Sequence, residues 1–160
     1  MIKIVTQSGD LLSVKSGHIV HGCNAQGIMG AGVARAVRQS YPYVYDDYRN
    51  EYELNGLLLG KAYPSTVSPD LMFWNAITQE GFDHPVRNVS YDAIETCFAQ
   101  INEHIHLGLE GVANMQPDEV HIPALGSGIG GGNWEIIREI IEQTMDFPTT
   151  LWVIPTPIKF

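Results

Sequence analysis

Residues 21–34 read His21-Gly22-Cys23-Asn24-Ala25-Gln26-Gly27-Ile28-Met29-Gly30-Ala31-Gly32-Val33-Ala34. An apolar run at residues 19–23 leads into this stretch, and a helix-forming run at residues 31–39 leads out of it. That order describes a buried strand, a glycine-rich turn and the opening of a helix. It recurs at residues 122–134, Ile122-Pro123-Ala124-Leu125-Gly126-Ser127-Gly128-Ile129-Gly130-Gly131-Gly132-Asn133-Trp134. Glycines permit positive φ and close backbone approach. Successive amides of such a loop can turn inward as an anion-binding nest. The helix that follows adds N–H groups without intrahelical acceptors and the positive end of its dipole. One glycine-rich turn is common punctuation. Two of them, each joining a strand to a helix, point to a bound diphosphate; the alternative is a pair of tight turns with no ligand. Neither loop runs into the Gly-Lys-Ser/Thr of a phosphate loop, and Gly27, Gly30 and Gly32 lack the dinucleotide-binding spacing.

Outward from these loops, strands and helices alternate. Residues 2–6 read as a strand, and Pro42 restarts a helix carrying Tyr41, Tyr45, Tyr48 and Tyr52 as a stripe. Residues 57–67 and 71–77 read as two strands around the turn Ser68-Pro69-Asp70. Ser90 caps a helix over 91–109 whose apolar face is Ile94, Cys97, Phe98, Ile101, Ile105 and Leu109. Residues 120–124 form a strand, Asn133 caps a helix, and residues 151–154 close the sheet. Interleaved strands and helices imply an α/β fold, with a mixed, mostly parallel sheet covered by helices on both faces. The tyrosine stripe and the long apolar face are explained by core packing alone.

The chain has 160 residues, 44% hydrophobic and 17% charged, which suits one domain over residues 1–160 with a real core. The net charge of −9 argues against nucleic acid, whose binding rests on phosphate neutralisation. The nine Lys and Arg residues are scattered, so backbone N–H groups must hold any small anion. No apolar run approaches the roughly 20 residues a membrane helix needs. Residues 1–5 read as a strand rather than a signal peptide, so a cytoplasmic protein with two reduced, buried thiols, Cys23 and Cys97, is expected. His104 and His106 stand two apart on a helix and face different ways, and His121 is alone on a strand, so neither metal nor cofactor is expected.

Gly9-Asp10-Leu11 after the first strand, the Asn24…Gly30-Ala31-Gly32-Val33 loop and the Ile122-Pro123…Gly126-Ser127-Gly128-Ile129-Gly130 loop follow macrodomain order and spacing. The whole chain resembles that family, and is most similar to its small members: ADP-ribose 1″-phosphate phosphatases and terminal ADP-ribose protein glycohydrolases. His21-Gly22-Cys23-Asn24 and Gly126-Ser127-Gly128-Ile129…Trp134 are nearest to the phosphatase pattern. The resemblance implies a three-layer macrodomain fold and a site for ADP-ribose or its 1″-phosphate. It places Asp10 and Leu11 at the adenine, Asn24 and Gly30, Ala31, Gly32 and Val33 at the distal ribose, and Gly126, Ser127, Gly128, Ile129, Gly130 and Gly131 around the diphosphate.

The departures bear on chemistry. The related glycohydrolases use a Lys after the fourth strand, where this chain has Gln79, and an acid where it has Gly130. A carboxamide forms no Schiff base. A second hydrolase class carries an Asp where Ala34 stands. Glycohydrolysis is thus disfavoured relative to removal of phosphate from ADP-ribose 1″-phosphate, which depends mainly on positioning and charge stabilisation. His21 beside Asn24 is a candidate to protonate the leaving oxygen or orient water; equally, it is a core histidine. Glu80, Asp83 and His84 lie on a loop within reach of the distal ribose or form a solvated loop. Cys23 is a conceivable nucleophile, but a buried structural thiol is the preferred reading. A non-catalytic reader of ADP-ribose remains the alternative.

Overall fold

The computed structural model describes residues 1–81, 88–109, 117–128 and 130–154. Eleven elements follow in order: β1 (Val5–Ser8), a 3-10 turn (Leu11–Ser13), β2 (Gly17–Asn24), α1 (Gly32–Ser40), α2 (Pro42–Asn55), β3 (Ala62–Thr66), β4 (Leu71–Gln79), α3 (Tyr91–Leu109), β5 (Val120–Ile122), α4 (Trp134–Thr144) and β6 (Thr149–Val153). They build a six-stranded sheet in the order β1-β6-β5-β2-β4-β3. All neighbours are parallel except β3, which runs antiparallel to β4.

β2 and β4 are almost wholly buried because they sit at the sheet centre with both faces covered. Residues of one parity, Val20, Met72, Trp74 and Ala76, pack on Ile94, Phe98, Ile101 and Ile137 of α3 and α4. Those of the other parity, Ile19 and Phe73, meet Val37 and Val44, while Cys23 and Ile77 meet Tyr48. Period-2 strands between period-3.6 helices therefore give three layers, with α1 and α2 on one face and α3 and α4 on the other. The tyrosine stripe divides: Tyr48 is buried, whereas Tyr45 and Tyr52 are half-buried against it.

β5 and β6 are offset by one or two residues from expectation, and two strands differ by more. The first strand covers Val5–Ser8 rather than 2–6, because the amides of Ile2 and Ile4 are taken by the Glu142 carbonyl (3.1 Å) and carboxylate (2.8 Å). Residues 57–61 are not strand. Gly56 ends α2 at φ +76, and a turn closed by the Lys61 N–H on the Leu58 carbonyl follows. No helix among the described residues is long and apolar enough to cross a membrane.

Candidate functional site

A cavity of about 710 Å³ lies across the C-terminal ends of four neighbouring parallel strands, β6, β5, β2 and β4. Three inter-strand steps make this about 14 Å wide, enough for an elongated nucleotide. Ligands of open α/β sheets favour this edge, where connections diverge to opposite faces. Here β2 is the divergence point: its chain continues into α1 and α2 on one face, whereas β4 and β5 lead to α3 and α4 on the other.

The first loop, residues 25–31, is held from inside by Asn24. Its Oδ1 accepts the Gln26 N–H at 2.9 Å, and its Nδ2 donates to the Ile28 carbonyl at 2.8 Å. The buried Tyr48 hydroxyl donates to the Asn24 carbonyl at 2.6 Å. Helix α1 then opens without a side-chain cap: Ala31 is its extended N-cap residue, and the first intrahelical bond is Arg35 N–H to Ala31 C=O. The N–H groups of Gly32, Val33 and Ala34 precede that bond, and all three residues line the cavity. Gly32 has φ +60, which sets the turn that aims them. An uncapped helix N-terminus on a cavity wall presents unpaired N–H groups and the positive end of a dipole, which is chemistry suited to an anion.

The second loop, residues 123–133, works differently. Asn133 Oδ1 caps α4 through the Glu135 N–H at 2.9 Å. The residues that open α4 do not line the cavity, whereas Gly32, Val33 and Ala34 of α1 do. The loop instead folds on itself, with Gly132 N–H donating to Gly126 C=O at 2.8 Å and Gly131 N–H to Gly128 C=O at 3.0 Å. Gly130 C=O accepts from the amides of Asn88 and Val89 at 2.8 and 3.0 Å, tying the loop to the start of α3. A Cβ on Gly130 would stand 2.7 Å from the Gly126 carbonyl oxygen and 2.9 Å from Gln79 Oε1. Only glycine fits there.

Asn24, Gly30, Ala31, Gly32 and Val33 line one wall, and Gly126, Ser127, Gly128 and Gly130 the other. Ile129 lies outside the described residues, as do Asp83, His84 and residues 155–157. Gly131 sits one residue behind the wall. Asp10 is exposed, and its Oδ1 accepts the Leu12 N–H at 2.9 Å; Leu11 is a core residue, 6% exposed. Both stand beside the β6 end of the cavity, where Gly9 N–H donates to Val153 C=O, rather than on its wall. Glu80 is exposed and does not line the cavity.

His21 requires correction. It is fully buried, does not line the cavity, and donates from Nε2 to Asn75 Oδ1 at 2.7 Å with Phe73 edge-on to the ring. Burial lowers its pKa to about 4, against a raising effect from the Asn75 bond, so at neutral pH the ring is uncharged. Alternation along β2 explains the placement: His21 shares the α1/α2 face with Ile19 and Cys23. Cys23 reaches the cavity wall but is 4% exposed, and burial pushes its thiol far up, away from the nucleophilic thiolate.

Among the described residues, Cys23 is the one ionisable side chain on the cavity wall. No described Lys, Arg, Asp, Glu or His lines the space. Sequence reasoning missed Trp152 and Val153, which with Ile154 line the β6 end of the cavity. The signal was available in principle, because β6 is parallel to β5 and must end on the same edge. Trp152 is held there by its Nε1–H, which donates to His121 Nδ1 at 2.9 Å.

The Macro domain family model matches residues 20–141. A 17.5 kDa protein from the tk-vs intergenic region of Enterobacteria phage T4 is 28% identical over 140 residues, 84% of each chain. A DNA ADP-ribosyl glycohydrolase of Thermus aquaticus is 23% identical over 86% of this chain and 36% of its own length. An ADP-ribose 1″-phosphate phosphatase of Aspergillus clavatus is 37% identical over 68 residues, 42% of this chain and 33% of its own. This chain thus spans about a third of those last two. The solved structure of a macrodomain protein from Streptomyces coelicolor superposes with a TM-score of 0.76 at 27% identity, covering 96% of this chain and all of that one. With the family model matched over both glycine-rich loops and the sheet they cap, this chain belongs to the macrodomain family.

Proposed function

We propose that this macrodomain is an ADP-ribose-binding module whose diphosphate sits between the α1 N-terminus and the second glycine-rich loop. The observation that carries this is the uncapped start of α1, with Gly32, Val33 and Ala34 on the wall of a cavity that lacks cationic side chains among the described residues. In a chain of net charge −9, such a site holds an anion through amides and a helix dipole rather than through Lys or Arg. Asp10 and the Trp152–Ile154 wall would take the adenosine end, and the β4 end would take the distal ribose. Relatives named for ADP-ribosyl and ADP-ribose 1″-phosphate chemistry support that ligand class.

Removal of phosphate from ADP-ribose 1″-phosphate is the second reading, favoured by the 37% identity to the Aspergillus phosphatase. Its cost is that His21 lies in the core and the Asn24 carboxamide is engaged by the first loop. Positioning alone would have to carry the reaction. Glycohydrolysis is weaker still, since Gln79 and Gly130 stand where a covalent Lys and an acid would be needed. Calorimetry with ADP-ribose, beside a phosphate-release assay on the 1″-phosphate, tests both. Micromolar or tighter binding is expected, with a weaker salt dependence than a site built on side-chain ion pairs, because no described Lys or Arg lines the cavity. Absence of binding heat at millimolar ADP-ribose would sink the assignment.

A further inference from the structure

Gln79 closes β4 at the end of the cavity three strands away from Trp152. It is half-buried, and its Nε2 donates to the Gly81 carbonyl at 2.6 Å. A carbonyl oxygen can only accept, so this bond settles which end of the carboxamide is nitrogen. Oε1 therefore turns toward Gly130, the position at which a Cβ would stand 2.9 Å from it. Among the described residues no donor engages that oxygen. Other polar side chains on the described wall have their donors engaged: Ser127 Oγ donates to Ala124 C=O at 2.6 Å, Trp152 Nε1–H to His121 Nδ1 at 2.9 Å, and Asn24 braces the first loop through both ends of its amide.

We infer that Gln79 is a specificity-determining residue that selects a nucleotide ending in a hydroxyl over one ending in a phosphate. The inference rests on the binding reading above and deepens it. A distal-ribose hydroxyl carries the proton that Oε1 lacks and gains a hydrogen bond there. A phosphate dianion offers only acceptors, so lone pairs would face lone pairs. No cationic side chain on the described wall offsets that repulsion, and the Gly126 carbonyl leaves no room for one at position 130. A site that presents a fixed acceptor discriminates strongly against a partner without the matching donor.

The test is calorimetry of ADP, ADP-ribose and ADP-ribose 1″-phosphate with the wild-type chain and two variants. Wild type is expected to bind ADP-ribose at least about tenfold tighter than the 1″-phosphate, the order expected from losing one hydrogen bond and opposing one charge. Gln79→Arg keeps a donor for Gly81, removes the acceptor and adds a positive charge that forms no Schiff base, so the preference should invert. Gln79→Glu keeps the acceptor and adds a negative charge, so the preference should widen. ADP, which lacks the distal ribose, reports the general effect of each added charge on the diphosphate, so the preference is read as the ratio of 1″-phosphate to ADP-ribose affinity within each protein. An unchanged ratio across the three proteins with ADP-ribose binding intact would overturn the role of Gln79 alone. Steady turnover of the 1″-phosphate by wild type would do the same. Failure of wild type to bind ADP and ADP-ribose at all would bring down the binding reading and this inference with it.

Discussion

His21 on β2 and Asn75 on β4 are register partners, and their side chains meet at 2.7 Å inside the α1/α2 layer. The bond turns the imidazole away from the cavity and makes it part of the core. His21→Ala should therefore cost stability, about 2–4 kcal/mol from the void and the stranded Asn75 oxygen, while ADP-ribose affinity stays within about twofold, because no ligand contact is removed. Denaturant unfolding and calorimetry check the two halves separately. A tenfold loss of affinity in a stably folded variant would return His21 to the site.

Burial lowers His21 to a pKa of about 4, and burial, with His104 and His121 nearby, lowers His18 likewise to about 4. The unfolded chain takes up these protons near pH 6.5, whereas the folded chain resists until about pH 4. Between those values the unfolded state holds more protons, so stability rises with pH and is lost as pH falls through the window. At pH 5 the loss should be about 2 kcal/mol per ring relative to pH 7.5. Urea midpoints that stay constant from pH 7.5 to 5 would contradict the buried, neutral state of both rings.

Gly128 and Gly32 both line the cavity, and a Cβ on either meets nothing within 4 Å. They differ in backbone: Gly32 has φ +60 and Gly128 is outside the positive-φ set. Gly128→Glu should thus fold as well as wild type and lose ADP-ribose binding by at least about a hundredfold, through bulk and charge opposed to a diphosphate. Gly32→Glu should lose binding similarly, with a further stability cost of about 1 kcal/mol from the left-handed backbone. Full affinity in both variants, by calorimetry, would remove the diphosphate from this trough.

Tyr48 offers a test remote from the ligand. Its hydroxyl donates to the Asn24 carbonyl at 2.6 Å and lies 3.0 Å from Asn24 Oδ1. Tyr48→Phe should cost about 1 kcal/mol of stability and loosen residues 25–31, seen as faster amide exchange there. ADP-ribose affinity should fall about fivefold, because the loop is no longer set before binding. Unchanged exchange in the first loop would show that Asn24 holds it alone.

The α/β class, the helices that Pro42, Ser90 and Asn133 begin, and the two glycine-rich loops were legible in residue order, because periodicity and capping are local properties. His21, which the sequence allowed equally as a site or a core residue, is placed in the core by the face of β2 it occupies, because proximity in sequence to a loop does not say which face of an element a side chain takes. Trp152 and Gln79 became neighbours of the cavity only when β6 and β4 took their places in the sheet.

Strand–glycine–helix punctuation by itself determined that main-chain amides would gather at two turns. Only the folded sheet decided that these turns share one cavity, that α1 opens onto it uncapped while the start of α4 does not line it, and that the described wall carries no cation. Those outcomes depend on strand order and on which face each side chain occupies, which long-range packing fixes and no short stretch of chain encodes.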